Sequence, residues 1–305
     1  MFFLKALHIV GIEDEVYTLV NNIQIRPDCS IIVSRSDAYD FLNNSKPVLI
    51  NLVERYYEVV VTSGEYTGYS SDVKLVDFYS ALKDPTIEPV AILGGINAQS
   101  THNLDNDSNY IDKDSSYKAG EALIEDKNSL EIMGLAVFRG DKLIGELNGI
   151  ETISYLLVTG KLQNCSINIP NPFITNDLIS LSIRISKSPD VKVDIVNDSP
   201  YIKPTIYVEA SILSLDSDSD YTSSDTLQII REYVNSYLEN HITEYLYKTS
   251  HDFKSDINGF GRKTLKDYLT LSDWEKLNWL ENYENSAFNV KVSSTLKTAS
   301  IILKN

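Results

Sequence analysis

Between residues 179 and 195 the chain alternates strictly enough to fix what it can become. Ile179, Leu181, Ile183 and Ile185 are separated by Ser180, Ser182, Arg184 and Ser186. Successive side chains of a strand point to opposite faces, so this pattern describes a strand with one buried and one solvated face. Ser188-Pro189-Asp190 reads as a turn, after which Val191, Val193 and Ile195 resume the alternation. Ile206, Val208, Ala210 and Ile212 supply a further half-buried strand. Such a sheet needs a cover, and the helix expected from Asp225 to about Lys248 provides one. Leu227, Ile230, Val234, Tyr237, Leu238, Ile242 and Tyr245 line a single stripe of it, with Ser224 or Asp225 as the cap. Phe288 to Leu296 then returns to the sheet. The C-terminal region is thus expected to be an antiparallel sheet covered by a long helix, an α+β arrangement.

Upstream the pattern mixes helices and strands. Ile12 to Val20 and Asp37 to Leu42 read as helices, the second entered at Ser36, and Ile31-Ile32-Val33 as a strand. Val48 to Val60 and Val73 to Leu82 carry apolar residues near helical spacing, and Pro89 to Leu93 reads as a buried strand ending at Gly94-Gly95. From Gln99 to Lys118 the residues turn to Asn, Asp and Ser, marking a surface loop. A multi-domain chain follows: a mixed α/β region over 1–120 and an α+β region over 121–305, with a subdivision near 170. Within the second, Arg139-Gly140-Asp141 suits a hairpin turn between Ala136-Val137-Phe138 and Lys142 to Leu147, and Glu151 to Thr159 reads as a short helix.

Charge limits the partners. A formal net charge of −16 leaves no electrostatic footprint for nucleic acid. Cys29 and Cys165 stand far apart, outside any ligand-like spacing, and read as small apolar residues. Asp216-Ser217-Asp218-Ser219-Asp220 imitates a calcium loop, but Tyr221 and Leu227 occupy the glycine and glutamate positions, so it reads as a solvated acidic turn. His241, Glu244, His251 and Asp252 lack a second histidine one helical turn away. No nucleophile has a plausible base and no phosphate-binding loop is present. No catalytic, cofactor or metal residue is expected, and the chain is expected not to be an enzyme.

The residues that stand out are of another kind. Asp256-Ile257-Asn258-Gly259-Phe260-Gly261 follows the long helix; its aspartate can bond turn amides, and Gly259 and Gly261 can both take positive φ. Trp274 and Trp279 follow, read as core aromatics ahead of partner-surface residues. With Gly134 to Asn148, which holds Phe138, Gly145 and Leu147, these segments resemble the Ger(x)C family, the lipoprotein C subunits of bacterial spore germinant receptors. Ile25-Arg26-Pro27, Ile31 to Val33 and Asp37-Ala38 match weaker family features.

The resemblance implies a multi-domain α/β fold and a non-enzymatic subunit required for the nutrient response. It implies a receptor shared with a membrane A subunit and a transporter-like B subunit, at the outer face of the inner spore membrane. It assigns Phe138, Gly145, Leu147, Asp256, Gly259, Gly261, Trp274 and Trp279 to structure or partner contact. Family members are tethered by a lipidated cysteine in a Leu-x-Gly-Cys-like lipobox, and neither Cys29 nor Cys165 sits in one. An anchored subunit would need an extension upstream of Met1; an anchorless one would be held by protein contacts alone. An alternative function is an extracytoplasmic solute-binding protein that captures the germinant itself in an interdomain cleft.

Overall fold

The structure, a computed structural model, describes residues 2–5, 11–43, 53–97, 116–122, 129–175, 177–215 and 223–298. The acidic run 216–220, the stretch 48–52 and most of the polar segment 99–118 lie outside the described residues.

Five strands form the first sheet in chain order: β1 (Phe2–Lys5), β2 (Ile31–Ser34), β3 (Val90–Asn97), β4 (Ser129–Arg139) and β5 (Lys142–Leu147). β1, β2 and β3 are parallel, and β4 and β5 add in antiparallel. Parallel neighbours need long crossovers, usually helical. They are α1 (Glu13–Val20) between β1 and β2, then α2 (Ala38–Asn43), α3 (Val53–Thr62), α4 (Gly64–Thr67) and α5 (Leu75–Lys83) between β2 and β3. Every residue of β2 is buried, as parallel strands covered on both faces require. Asp37 opens α2, since its carboxylate accepts from Tyr39 N (2.9 Å) and its carbonyl from Phe41 N; Ser36, expected as the cap, bonds Ser34 instead.

β3 does not stop at Gly94-Gly95 but runs through both, with a register shift between Ile92 and Gly94. A Cβ at Gly94 would lie 2.8 Å from the Phe41 ring, and one at Gly95 would lie 2.5 Å from the Ala119 carbonyl oxygen. These glycines admit close neighbours rather than end a strand. The boundary expected near 120 falls between β3 and β4, adjacent strands of one sheet.

The second sheet has the order β10-β8-β7-β6, with β6 (Cys165–Pro170), β7 (Leu178–Val196), β8 (Ser199–Leu215) and β10 (Lys291–Thr298); β9 (Ala287–Phe288) also pairs β8. β7 and β8 are antiparallel, as the alternation predicts, and β6, not among the strands expected from the sequence, adds antiparallel to β7. β9 and β10 instead join β8 in parallel, because the long connection through α7 (Ser224–Tyr247) carries the chain back across the sheet before they form. Ser188-Pro189-Asp190 is not the hairpin turn. β7 passes through it with register irregularities from Ile185 to Asp190, and the chain reverses at Asn197-Asp198, whose φ values are 50° and 62°.

Ile179, Leu181, Ile183, Ile206, Val208, Ala210 and Ile212 are buried, together with Ile230, Val234, Leu238, Ile242 and Tyr245 of the predicted helix stripe. The second layer also includes α6 (Gly149–Thr159), which packs on α7 and opens with a reciprocal cap between Asn148 and Glu151. The α7 cap is Ser223, one residue before the positions expected, where its hydroxyl accepts from Thr226 N. From α7, Glu239 and Asn235 accept from Val292 N (2.8 Å) and Ser294 N (3.0 Å) of edge strand β10. Side chains thereby satisfy amides that an open sheet edge would leave unpaired.

Candidate functional site

After α7 the chain makes a π-helical turn over Lys248–Asp252, then passes through Lys254 at φ 51°. Ser255 N returns to the Thr249 carbonyl (2.9 Å), which delivers Asp256 into the interior, where it is fully buried. Asp256 Oδ1 accepts from Gly259 N (2.9 Å). Its Oδ2 accepts from Gly261 N (3.0 Å) and from Trp279 Nε1 (2.8 Å). Burial pushes the carboxyl up to about 6, while these donors pull the other way.

The two glycines serve different purposes. Gly259 has φ +71°; Gly261 does not have positive φ and begins α8 (Gly261–Thr264). A Cβ on Gly261 would stand 2.7 Å from Trp279 Cδ1 and 2.8 Å from the Thr86 carbonyl oxygen, so close approach dictates glycine there. Both tryptophans are in the interior. Trp274, on α9 (Leu271–Glu275), donates to Thr264 Oγ1 (2.7 Å), which itself donates to the Gly261 carbonyl (2.8 Å). Trp279 begins α10 (Trp279–Asn282) and packs near Tyr283 with ring centroids 6.2 Å apart.

This knot is fastened to the first sheet. Glu88 N donates to the Asp256 carbonyl (2.9 Å), and Ser255 Oγ to the Phe138 carbonyl (2.7 Å). Phe138 is buried on β4, edge to face with Phe78 at 5.0 Å. Gly145 on β5 leaves the space that the Phe253 ring occupies; any Cβ there would collide with it. Leu147, at the end of β5, is buried, and its carbonyl sits where a Cβ of Gly134 would be. Ion pairs Arg262–Asp84 (2.7 Å) and Lys248–Glu151 (2.6 Å) flank the junction. The structure therefore brings Phe138, Gly145, Asp256, Gly259, Gly261 and Trp279 into one junction, with Trp274 braced behind and Leu147 at its far margin.

Sequence reasoning missed Glu88 and Phe253, and gave Ser255, at the head of the Asp256 turn, no role. Glu88 is buried, and its carboxylate accepts from Gly140 N (2.7 Å). Burial pushes its carboxyl up to about 7. Its one sequence signal is a carboxylate set in the apolar run Ile87-Glu88-Pro89-Val90. Chemically the junction can hold two layers together. Asp256 presents no surface to a ligand, and the three donors its carboxylate accepts from all belong to the chain itself.

The remaining groups weighed from sequence lie elsewhere. Cys165 is buried, its thiol pushed up to about 12 by burial, and Cys29 is half-buried. Among the described residues no three of His, Cys, Asp and Glu converge on a metal position. An open cleft is lined by Ser199, His251, Lys254, Glu284 and Asn285, with Lys254 and Glu284 paired at 2.7 Å.

Comparison with known proteins gives this junction a context. Residues 5–94 match the spore germination protein N-terminal domain, and residues 133–299 match the C-terminal domain described as spore germination B3/GerAC like. The Bacillus subtilis (strain 168) protein named "Putative spore germination protein YfkR" is 22% identical over 288 residues, covering 94% of this chain and 67% of that protein. The crystal structure of the GerBC protein superposes with a TM-score of 0.63 at 12% identity, over 97% of this chain and 80% of that one. The fold is shared with GerBC, and the C-terminal match spans more than half of the sequence and contains the whole Asp256 knot. The chain belongs to the Ger(x)C family of spore germination proteins.

Proposed function

We propose that this protein is a non-enzymatic subunit of a spore germinant receptor, acting through contacts with a membrane A subunit and a transporter-like B subunit. The supporting observation is what the family-motif residues do. Asp256, Gly261 and Trp279 are engaged with one another in the interior, and Phe138 and Gly145 receive the adjoining Ser255 and Phe253. Residues used in this way shape a binding body rather than a reaction centre. The proposed place is the outer face of the inner spore membrane. No helix among the described residues is long and apolar enough to cross a membrane. The proposed attachment runs through the partner subunits, together with a lipidated cysteine of the family's kind.

The test is genetic and biochemical. Deleting the gene should abolish the response to the receptor's nutrients, and the tagged chain should retain the A and B subunits in detergent extracts of spores. Normal nutrient germination in the deletion strain would refute the reading. The open cleft beside His251 favours a second reading, in which the chain itself captures a small polar germinant. Calorimetry of the isolated chain with amino acids, sugars and nucleosides separates the two: saturable binding supports solute capture, and binding only with the membrane subunits present supports the receptor subunit.

A further inference from the structure

We infer that Glu88 and Asp256 form a proton-controlled latch between the first sheet and the C-terminal knot, closed when Glu88 is neutral and strained when it is ionised. Glu88 belongs to the connection between α5 and β3, and this one residue holds two parts of the molecule. Its backbone N–H reaches the Asp256 carbonyl, and its carboxylate reaches Gly140 N in the β4–β5 turn. Asp256 already engages three donors, so none of them is free to serve a second anion. Glu88 is 6% exposed and makes no ion pair with a described residue.

The charges around it compensate only in part. Arg139, on β4, is the cation whose field reaches Glu88, and it is already paired to Glu281 of α10 at 3.4 Å. Arg262 is paired with Asp84, and Lys254 with Glu284. From the knot, the buried Asp256 repels a charge on Glu88. The Gly140 N–H and the field of Arg139 favour the anion, but burial outweighs both, so ionisation strains the carboxyl toward taking up a proton or pulling away from its site. Moving away breaks the Gly140 bond and disturbs the adjoining bond from Glu88 N to Asp256. Those contacts join the two layers, and the junction therefore loosens as pH rises through the titration of Glu88, centred near 7.

The test follows the full chain from pH 4.5, through the Glu88 titration near 7, to about one unit above it. In the wild type, amide protection at Gly140, Ser255 and Gly259, corrected for intrinsic exchange, should fall as pH rises, and the folding equilibrium should weaken by on the order of a hundredfold on account of Glu88, with Asp256 adding to it. Glu88→Gln, which stays neutral and retains an acceptor for Gly140 N, should remove Glu88's share of that slope, leave the part due to Asp256, and keep the junction better protected than in the wild type at the upper end. An equal slope in Glu88→Gln would overturn the latch. Should that variant fold poorly, carboxyl-carbon NMR of the wild type decides: a Glu88 titration in the ordinary carboxylate range, or protection at the junction that is flat with pH, would also overturn it.

Discussion

At the scale of single residues, three glycines separate conformational need from spatial need. Gly140 has φ +59° and nothing within 4 Å of where a Cβ would stand, so Gly140→Ala should cost only backbone strain, on the order of 1 kcal/mol. Gly259 combines φ +71° with Ile87 Cδ1 at 3.0 Å, and Gly259→Val should cost more, about 1–3 kcal/mol from strain with overpacking added. Gly261→Ala has no positive φ to violate and should still be damaging, because Trp279 and the Thr86 carbonyl both block the added carbon. Chemical denaturation of the three variants checks this order; a Gly261→Ala protein as stable as the wild type would refute the close-approach account. Asp256→Ala removes the acceptor for three buried donors, each left unsatisfied at about 1–3 kcal/mol, so it should lower stability far more than a surface aspartate would. Linkage also has a definite sign here. Glu88 and Asp256 hold protons more tightly folded than unfolded, so this part of the stability is fully present below their ordinary values, near 4.5 and 3.8. It is lost as pH rises through about 6 and 7.

At the scale of elements, the covered sheet face and its helix are readable because period-2 and period-3.6 patterns follow directly from side-chain direction. Punctuation is harder to read. Ser188-Pro189-Asp190 resembles a turn, but a proline is equally at home where a strand's pairing is irregular, and β7 absorbs it there. The real reversal, Asn197-Asp198, carries positive φ at both positions, the geometry of a tight hairpin that favours Asn followed by Gly. Asp198→Gly should therefore raise the melting temperature, relieving strain of up to about 1 kcal/mol while keeping the carbonyl that Asn282 uses. The parallel return of β10 is invisible locally, since strand direction depends on the crossover rather than on the strand's own residues. Gly261 misleads for a similar reason: its crowding neighbours, Trp279 and Thr86, are distant in sequence, and only the fold brings them together. Asn148→Ala, which dismantles the reciprocal cap of α6, should cost about 1 kcal/mol by thermal unfolding.

At the scale of the whole molecule, the two sheets share a single hydrophobic core, joined by the junction around Asp256. Layers joined that way should unfold together, and calorimetry of the wild type should show a single transition, because exposing either sheet also breaks the bonds from Glu88 and Ser255. Gly145 offers a way to separate them. Gly145→Val places a branched side chain where the Phe253 ring now lies, on the side of β5 that receives the knot. It should leave the strand pairing of both sheets intact, since valine favours extended backbone and Gly145 has no positive φ. The ring must therefore leave, drawing Ser255 from Phe138 on β4 and Asp256 from Glu88 just before β3. The variant should show two calorimetric transitions, with hydrogen exchange fastest at residues 253–261. Two transitions already present in the wild type would mean that the layers are independent, and a single unshifted transition in Gly145→Val would mean that the Phe253 seat contributes nothing to their coupling.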